Sequence, residues 1–312
     1  MLRSLLVASA GGHLEELYVL RPRIVGLADD VTWVTWDTPQ SRSMLAGEQR
    51  FFVERAEPRD VGATLTTASA AHHVLSLGRW ANVISTGSLP AVPFLALARA
   101  RRIPCHFIES ATRSNDPSLS GKIVARLHGV RLYSQYRDGP GPRWSYRGSV
   151  FDGYRAVPAE AAPLRRVLVS VGSSKFQFRR MLAAAARALP PDIETFWQTG
   201  HTDVSGLPIK AVPFLSAADF SAECDRADAV ICHAGVGSAL AALRAGHRPI
   251  LVPRRALARE HIDDHQRAVA CELAARGLAI ACEAEELDLR LVELAAEKTI
   301  RMAEAPSFEL AG

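Results

Sequence analysis

Two short apolar runs, each ending in a turn of small residues that opens a helical pattern, stand half a chain apart and constrain the fold more than any other feature. The first covers residues 4–8 and leads into Ser9-Ala10-Gly11-Gly12-His13, with helical spacing from 14 to 28. The second covers 166–171 and leads into Gly172-Ser173-Ser174, with a helix-forming run over 179–189. A strand, a small-residue turn and a helix leave free backbone N–H groups at the helix start, which suit a phosphate. One such unit is common in α/β proteins. Two of them, in a chain of 312 residues, predict paired nucleotide-binding-type domains facing a cleft that holds two substrates.

The pattern between the turns agrees. Strands are predicted at 5–8, 31–35, 51–53, 83–85, 105–108 and 130–133, with helices over 14–28, 61–77, 90–102 and 120–127. Strands separated by helices require crossovers, hence a largely parallel sheet covered on both faces. A Gly/Pro-rich stretch at 138–153 precedes an expected linker at 154–163, which divides a first domain, 1–153, from a second, 164–312. The second domain repeats the alternation, with strands at 167–171, 195–198, 209–212, 229–232 and 249–252 and a final amphipathic helix over 287–302. The fold class is α/β, with two Rossmann-like, doubly wound parallel-sheet domains.

Composition removes several function classes. No apolar run approaches the ~18–20 residues that span a bilayer; the longest candidate, 89–98, stops at Arg99, Arg101 and Arg102. No signal-peptide pattern opens the chain, so a cytoplasmic protein is expected. Five cysteines without a CxxC pair read as scattered thiols. Residues 1–152 hold 18 basic against 13 acidic side chains and 153–312 hold 19 against 20. That mildly basic first half suits an anionic surface or acidic substrate. Without an aromatic-interleaved basic stripe, nucleic acid is not an expected partner.

The densest chemistry lies in Cys232-His233-Ala234-Gly235-Val236-Gly237-Ser238. A buried strand delivers His233 to a small-residue turn at a helix start, where Gly235 and Gly237 let a diphosphate approach and Ser238 adds a hydroxyl. A plain strand-to-helix turn is the alternative. Past the next buried strand comes Glu260-His261-Ile262-Asp263-Asp264-His265-Gln266, at the strand end where open α/β sheets bind ligands. Asp264, His265 and Gln266 are placed to read sugar hydroxyls. His261 and His265 are spaced as in HExxH, but Ile262 stands where that motif needs glutamate, and no metal is expected. Neither glycine turn spells GxGxxG, which disfavours a dinucleotide-dependent oxidoreductase.

The strings HAGVGS and EHIDDHQ, with the apolar run to Val252-Pro253 between them, resemble the carboxyl-terminal domain of family-28-type glycosyltransferases of the GT-B fold, bacterial capsule and exopolysaccharide transferases above all. Trp197-Gln198-Thr199-Gly200 resembles the family's HQ-G turn, and Val212-Pro213-Phe214-Leu215 its uracil-contacting loop. In the first half, Ser9–His13 resembles an acceptor-side glycine loop. The segments around Ile84–Ser88, Ile108-Glu109-Ser110 and Leu119–Lys122 resemble the membrane-recruiting partner of the two-subunit polyprenyl-diphosphate N-acetylglucosamine transferase.

The resemblance implies an inverting, metal-independent hexosyltransferase without a cofactor. It would move a sugar from a nucleoside diphosphate, expected to be UDP, to a polyprenyl-diphosphate-linked glycan in polysaccharide assembly, at the inner face of the cell membrane. Donor contacts are then expected from Gly172, Ser173, Ser174, Thr199, Gly200, Phe214, Leu215, His233, Gly235, Gly237, Ser238, Asp264, His265 and Gln266. The catalytic base is His13 or Glu109; alternatively His13 binds acceptor phosphate or shapes the turn, and Glu109 caps a helix. Relatives carry a ribose-binding glutamate where this chain has Ala241. That departure keeps a second reading open, a non-catalytic sugar-nucleotide-binding or partner-recruiting subunit. Residues 89–99 either dip into a bilayer or form a crossover helix.

Overall fold

The computed structural model describes residues 2–55, 61–114, 116–160 and 162–311. The chain forms two compact units: residues up to Val150 together with those from Pro306 on, and Phe151–Ala305.

The first unit contains β1 (Leu2–Ala8), α1 (Gly12–Leu20), β2 (Ile24–Val25), β3 (Asp30–Trp36), α2 (Pro39–Met44), β4 (Gln49–Val53), α3 (Val61–Ser76), β5 (Arg79–Gly87), α4 (Ala91–Ala100), β6 (Cys105–Ile108), α5 (Leu119–Val124), β7 (Val130–Ser134) and β8 (Trp144–Tyr146). Seven of these strands form a sheet in the order β4-β3-β1-β5-β6-β7-β8, every neighbouring pair parallel. Strand order reverses at β1 and β5, the switch point where doubly wound sheets bind ligands at the strands' carboxyl ends. Leu5 and Val7 of β1, Val34, Val83 and Phe107 build the core with Phe94, Leu95 and Ala98 of α4. α4 therefore covers the sheet with the apolar residues that a bilayer would otherwise take. Among the described residues no helix is long and apolar enough to cross a membrane.

The second unit contains β9 (Tyr154–Pro158), β10 (Arg166–Ser170), α6 (Arg179–Ala188), β11 (Glu194–Gln198), β12 (Ala211–Val212), α7 (Ala217–Arg226), β13 (Ala229–His233), α8 (Val236–Arg244), β14 (Ile250–Val252), α9 (His265–Ala275), β15 (Ile280–Ala281), α10 (Leu289–Ala296) and β16 (Lys298–Met302). Its sheet is again all parallel, in the order β12-β11-β10-β13-β14-β15, with the reversal at β10 and β13. Val167, Val169, Ile231, Ile250 and Val252 alternate inward and pack on Phe178, Met181 and Leu182 around α6.

Three elements differ from the sequence expectation. The first helix ends at Leu20 rather than at 28, because Pro22 opens a 3₁₀ turn, Arg21–Arg23, that feeds β2. The expected linker carries β9, which pairs antiparallel with β16; Ala161 within it lies outside the described residues. The final helix predicted over 287–302 is only α10, since Thr299 and Ile300 join the ladder with β9. Beyond it the chain returns to the first unit, where β17 (Phe308–Glu309) pairs parallel with β2. Phe308 is fully buried with its ring edge-on to Tyr133, whose hydroxyl accepts a bond from Ala311 N–H at 2.8 Å.

Candidate active site

In the first unit the turn after β1 places His13 in the opening turn of α1, beside the carboxyl end of β5. His13 Nδ1 lies 2.8 Å from the Thr86 carbonyl oxygen, and the Thr86 hydroxyl donates back to the His13 carbonyl at 2.7 Å. A carbonyl only accepts, so Nδ1 carries the ring proton and Nε2 of the neutral imidazole keeps a free lone pair. Burial pushes the His13 pKa below its ordinary 6.5, against the Thr86 bond and with the Arg113 charge. The result is a neutral ring with its acceptor nitrogen fixed in orientation.

Glu109 follows β6 and is fully buried. Its carboxylate accepts from Ser110 N–H at 3.1 Å, Ser118 N–H at 3.0 Å and the Ser118 hydroxyl at 3.2 Å. Burial raises its pKa in spite of these bonds. No hydrogen bond joins it to His13 among the described residues. Instead it fixes the segment that leads into α5, where Ser118 is the N-cap.

A second carboxyl group, Glu16, was not singled out from the sequence. It lies three residues after His13, on the same side of α1. Ser110 Oγ donates to it at 2.6 Å, Ala111 N–H at 2.9 Å and Gln135 Nε2 at 2.7 Å. Gln135 also donates to the Glu109 carbonyl and accepts from Val150 N–H. Burial drives the Glu16 pKa up to about 7, with the Glu109 charge adding to the rise. The only local signal was the adjacent acidic pair Glu15-Glu16 on a helix of nine residues with buried leucines at 14, 17 and 20.

In the second unit the turns after β10 and β13 meet around His233. A Cβ on Gly172 would stand 2.3 Å from the ring's Cε1, and one on Gly235 would stand 2.3 Å from Nε2. Gly172 also has φ +72°. Both glycines are thus required by the ring wedged between them, whereas a Cβ on Gly237 would meet nothing within 4 Å. Gly235 caps α8 without any side-chain hydrogen bond. The open helix start beside Gly237 and Ser238 has the chemistry of an anion seat. Burial lowers the His233 pKa to about 3, with the Arg254 charge next in weight and smaller contributions from His261 and His265. His233 is therefore a neutral polar group, and the glycine turns and the histidine-rich loop converge on it.

Arg254, also unanticipated, is fully buried. It donates to the carbonyls of Val171 and Phe176, each at 2.8 Å, and of Gln177 at 3.0 Å, with its guanidinium 4.8 Å from the centre of the Phe178 ring. It joins the loop after β10, which contains exposed Ser173 and half-buried Ser174, to the loop after β14. Gln266 is buried, and its Oε1 accepts from Arg254 N–H at 3.0 Å. Asp264 Oδ1 accepts from Ala256 N–H at 2.8 Å, and Asp263 accepts from His265 Nδ1. At the sheet edge, Thr199 and Gly200 bond the Val212 and Pro213 carbonyls, while Phe214 is 47% exposed and stands edge-on to His201 with Leu215 beside it in sequence.

Residues 166–310 match the glycosyltransferase family 28 C-terminal domain. No curated protein matches the chain in sequence. Among solved structures, the chain is similar to MurG of Acinetobacter baumannii (TM-score 0.55, 18% identity, covering 94% of this chain and 89% of that one). It is also similar to the glycosyltransferase SnogD from Streptomyces nogalater (0.58, 20%, 95% and 91%). A third is MnaA of S. aureus solved with UDP (0.60, 12%, 99% and 93%). Residues 166–310 therefore carry the pattern of a glycosyltransferase family 28 C-terminal domain, and the chain as a whole shares the GT-B fold of these solved glycosyltransferases.

Proposed function

We propose that the chain transfers a sugar from a nucleoside diphosphate, UDP by expectation, to a polyprenyl-diphosphate-linked glycan, with inversion and without a metal clamp on the leaving group. The observation that carries this reading is the turn after β13. A half-buried neutral histidine is wedged between two obligatory glycines, next to a helix start with no side-chain cap. The uncapped N–H groups and dipole of α8 suit the diphosphate, and the charge that develops on it as the sugar leaves is stabilised there. The MnaA structure with a similar fold was solved with UDP, which supports a uridine nucleotide as the donor's carrier.

His13 supplies the base in this reading. Its Nε2 takes the proton of the acceptor hydroxyl as the oxygen bonds to the anomeric carbon and the bond to the diphosphate oxygen breaks. Attack from the face opposite the leaving group inverts the centre. Glu109 holds the β6–α5 segment instead of moving a proton, because all its bonds go to fixed donors. Asp264, His265 and Gln266 contact the donor sugar, with the nucleotide base near Thr199, Gly200, Phe214 and Leu215. A lipid-linked acceptor brings the enzyme to the inner face of the membrane as a peripheral protein.

Ala241 favours a second reading, a non-catalytic nucleotide-sugar-binding or partner-recruiting subunit, since no carboxylate stands at the ribose position. A saturation-transfer NMR screen of nucleotide sugars, followed by turnover of the binders with a polyprenyl-diphosphate glycan, separates the two. Turnover supports transfer. Binding without turnover, in the presence of acceptor, supports the subunit reading.

A further inference from the structure

We propose that His261, Asp263 and His265 form a binding site for one divalent transition-metal ion, separate from the diphosphate seat at α8. One ligand atom from each of the three lies within 4.8 Å of the others. Two imidazoles and one carboxylate make a borderline donor set, which selects Zn²⁺ or Co²⁺ over Mg²⁺ or Ca²⁺. Three protein ligands leave a fourth position for water or a ligand oxygen.

A hydrogen-bonded cluster is the competing description, and it accounts for less. Asp263 accepts from His265 Nδ1, which explains that pair. His261 Nδ1 is then left with a single long contact, 3.4 Å, to the same Asp263 Oδ1 that already accepts from His265. The His261 and His265 rings stand perpendicular with centres 4.6 Å apart, so neither offers the other an in-plane partner. A cation bridging the three side chains satisfies all of them. Arg254 is the opposing charge, since it acts on His261, but Glu260 counters it.

The ligands lie at 261, 263 and 265, and the last is the first residue of α9. An ion there ties the end of the loop to the helix that carries Gln266. It orders the sugar-contacting loop and leaves the transfer step to the groups already named. Metal binding by the isolated chain therefore stands or falls apart from the transfer reading.

The test is titration of untagged protein with Co²⁺, read by visible d–d absorption and by competition with a chelating dye. Cys271, an exposed thiol, is replaced by serine in all samples so that it does not contribute. The expected result is one equivalent bound with the spectrum of a four- or five-coordinate site, and affinity reduced about 10-fold or more in His261→Ala, Asp263→Asn and His265→Ala. Circular dichroism verifies that each variant is folded. Zn²⁺ should displace the Co²⁺ and raise Tm in the parent protein but not in the variants. Absence of stoichiometric binding, or equal binding by the folded variants, overturns the site. So does a parent protein that binds no metal but loses nucleotide-sugar affinity in Asp263→Asn, which assigns the cluster to hydrogen bonding alone.

Discussion

Replacing His13 with alanine removes a neutral imidazole whose Nε2 is free while Nδ1 is anchored to the Thr86 carbonyl. A positioned general base contributes about 10²–10⁴-fold, or ~2.7–5.4 kcal/mol of barrier. The ring is already held by the reciprocal bonds with Thr86 before substrate arrives, so the loss belongs in the upper part of that range, about 10³-fold or more in kcat. Stability should change much less, because one side-chain hydrogen bond is worth about 1 kcal/mol. Steady-state turnover at saturating donor and acceptor, with donor affinity from calorimetry, separates the two effects. His13→Asn keeps a polar group without a usable base and should match alanine in kcat. Thr86→Val keeps the carbonyl and should hold kcat within a few fold. The pH profile adds a sign. Burial holds the His13 pKa below 6.5, so the base form persists as pH falls past 6.5 and kcat declines only below that point. Folded His13→Ala with kcat within a few fold of the parent, or Glu109→Gln alone stopping turnover, refutes the assignment.

Gly237→Asp should abolish nucleotide-sugar binding in a folded protein, since a Cβ there meets nothing within 4 Å while the carboxylate would repel the diphosphate; unaltered UDP affinity by calorimetry removes the donor assignment. Gln266→Ala should weaken use of the sugar nucleotide while UDP binding is nearly unchanged, and should lower stability by about 1–3 kcal/mol because Arg254 N–H loses its acceptor; equal loss for UDP and the sugar nucleotide takes Gln266 out of the sugar site. Glu16 gives a stability test. Its pKa rises from 4.5 to about 7 on folding, so the folded state binds the extra proton in that window and stability falls as pH rises through it, by on the order of 3 kcal/mol. Glu16→Gln should flatten that slope in denaturant melts from pH 4 to 8, and an unchanged slope would show that Glu16 does not cause it. Chelation with EDTA should leave kcat at saturating donor intact; complete loss restored by Mn²⁺ or Mg²⁺ would make the transfer metal-dependent.

What could be read from the sequence was what local pattern encodes. The strand predicted at 105–108 is β6 residue for residue, and the glycine turns located His13 and His233 at the switch points of the two sheets. Pairing between distant segments was not encoded locally. Residues 298–302 read as helix until their partner at 154–158 is known, and β-branched Thr299 and Ile300 then fit a ladder. Buried polar residues were hidden for the same reason. Glu16 finds its partners at Ser110 and Gln135, and Arg254 finds its own at Val171 and Phe176. A charged side chain reads as solvent-facing until the distant groups that satisfy it are in place.

The return of the chain after Ala305 has a consequence for the order of synthesis. The first unit takes β17 as its last strand, and that strand is made only after all of residues 151–305. At ribosomal speeds of about 5–20 residues per second the interval is roughly 8–30 seconds, long compared with the folding of an ordinary domain. Throughout it, the Tyr133 surface and the β2 edge lack the Phe308 ring that later covers them. The nascent amino-terminal unit thus keeps that apolar surface uncovered until the carboxyl-terminal unit has been made, and a fragment cut at Val150 would lack its cover altogether.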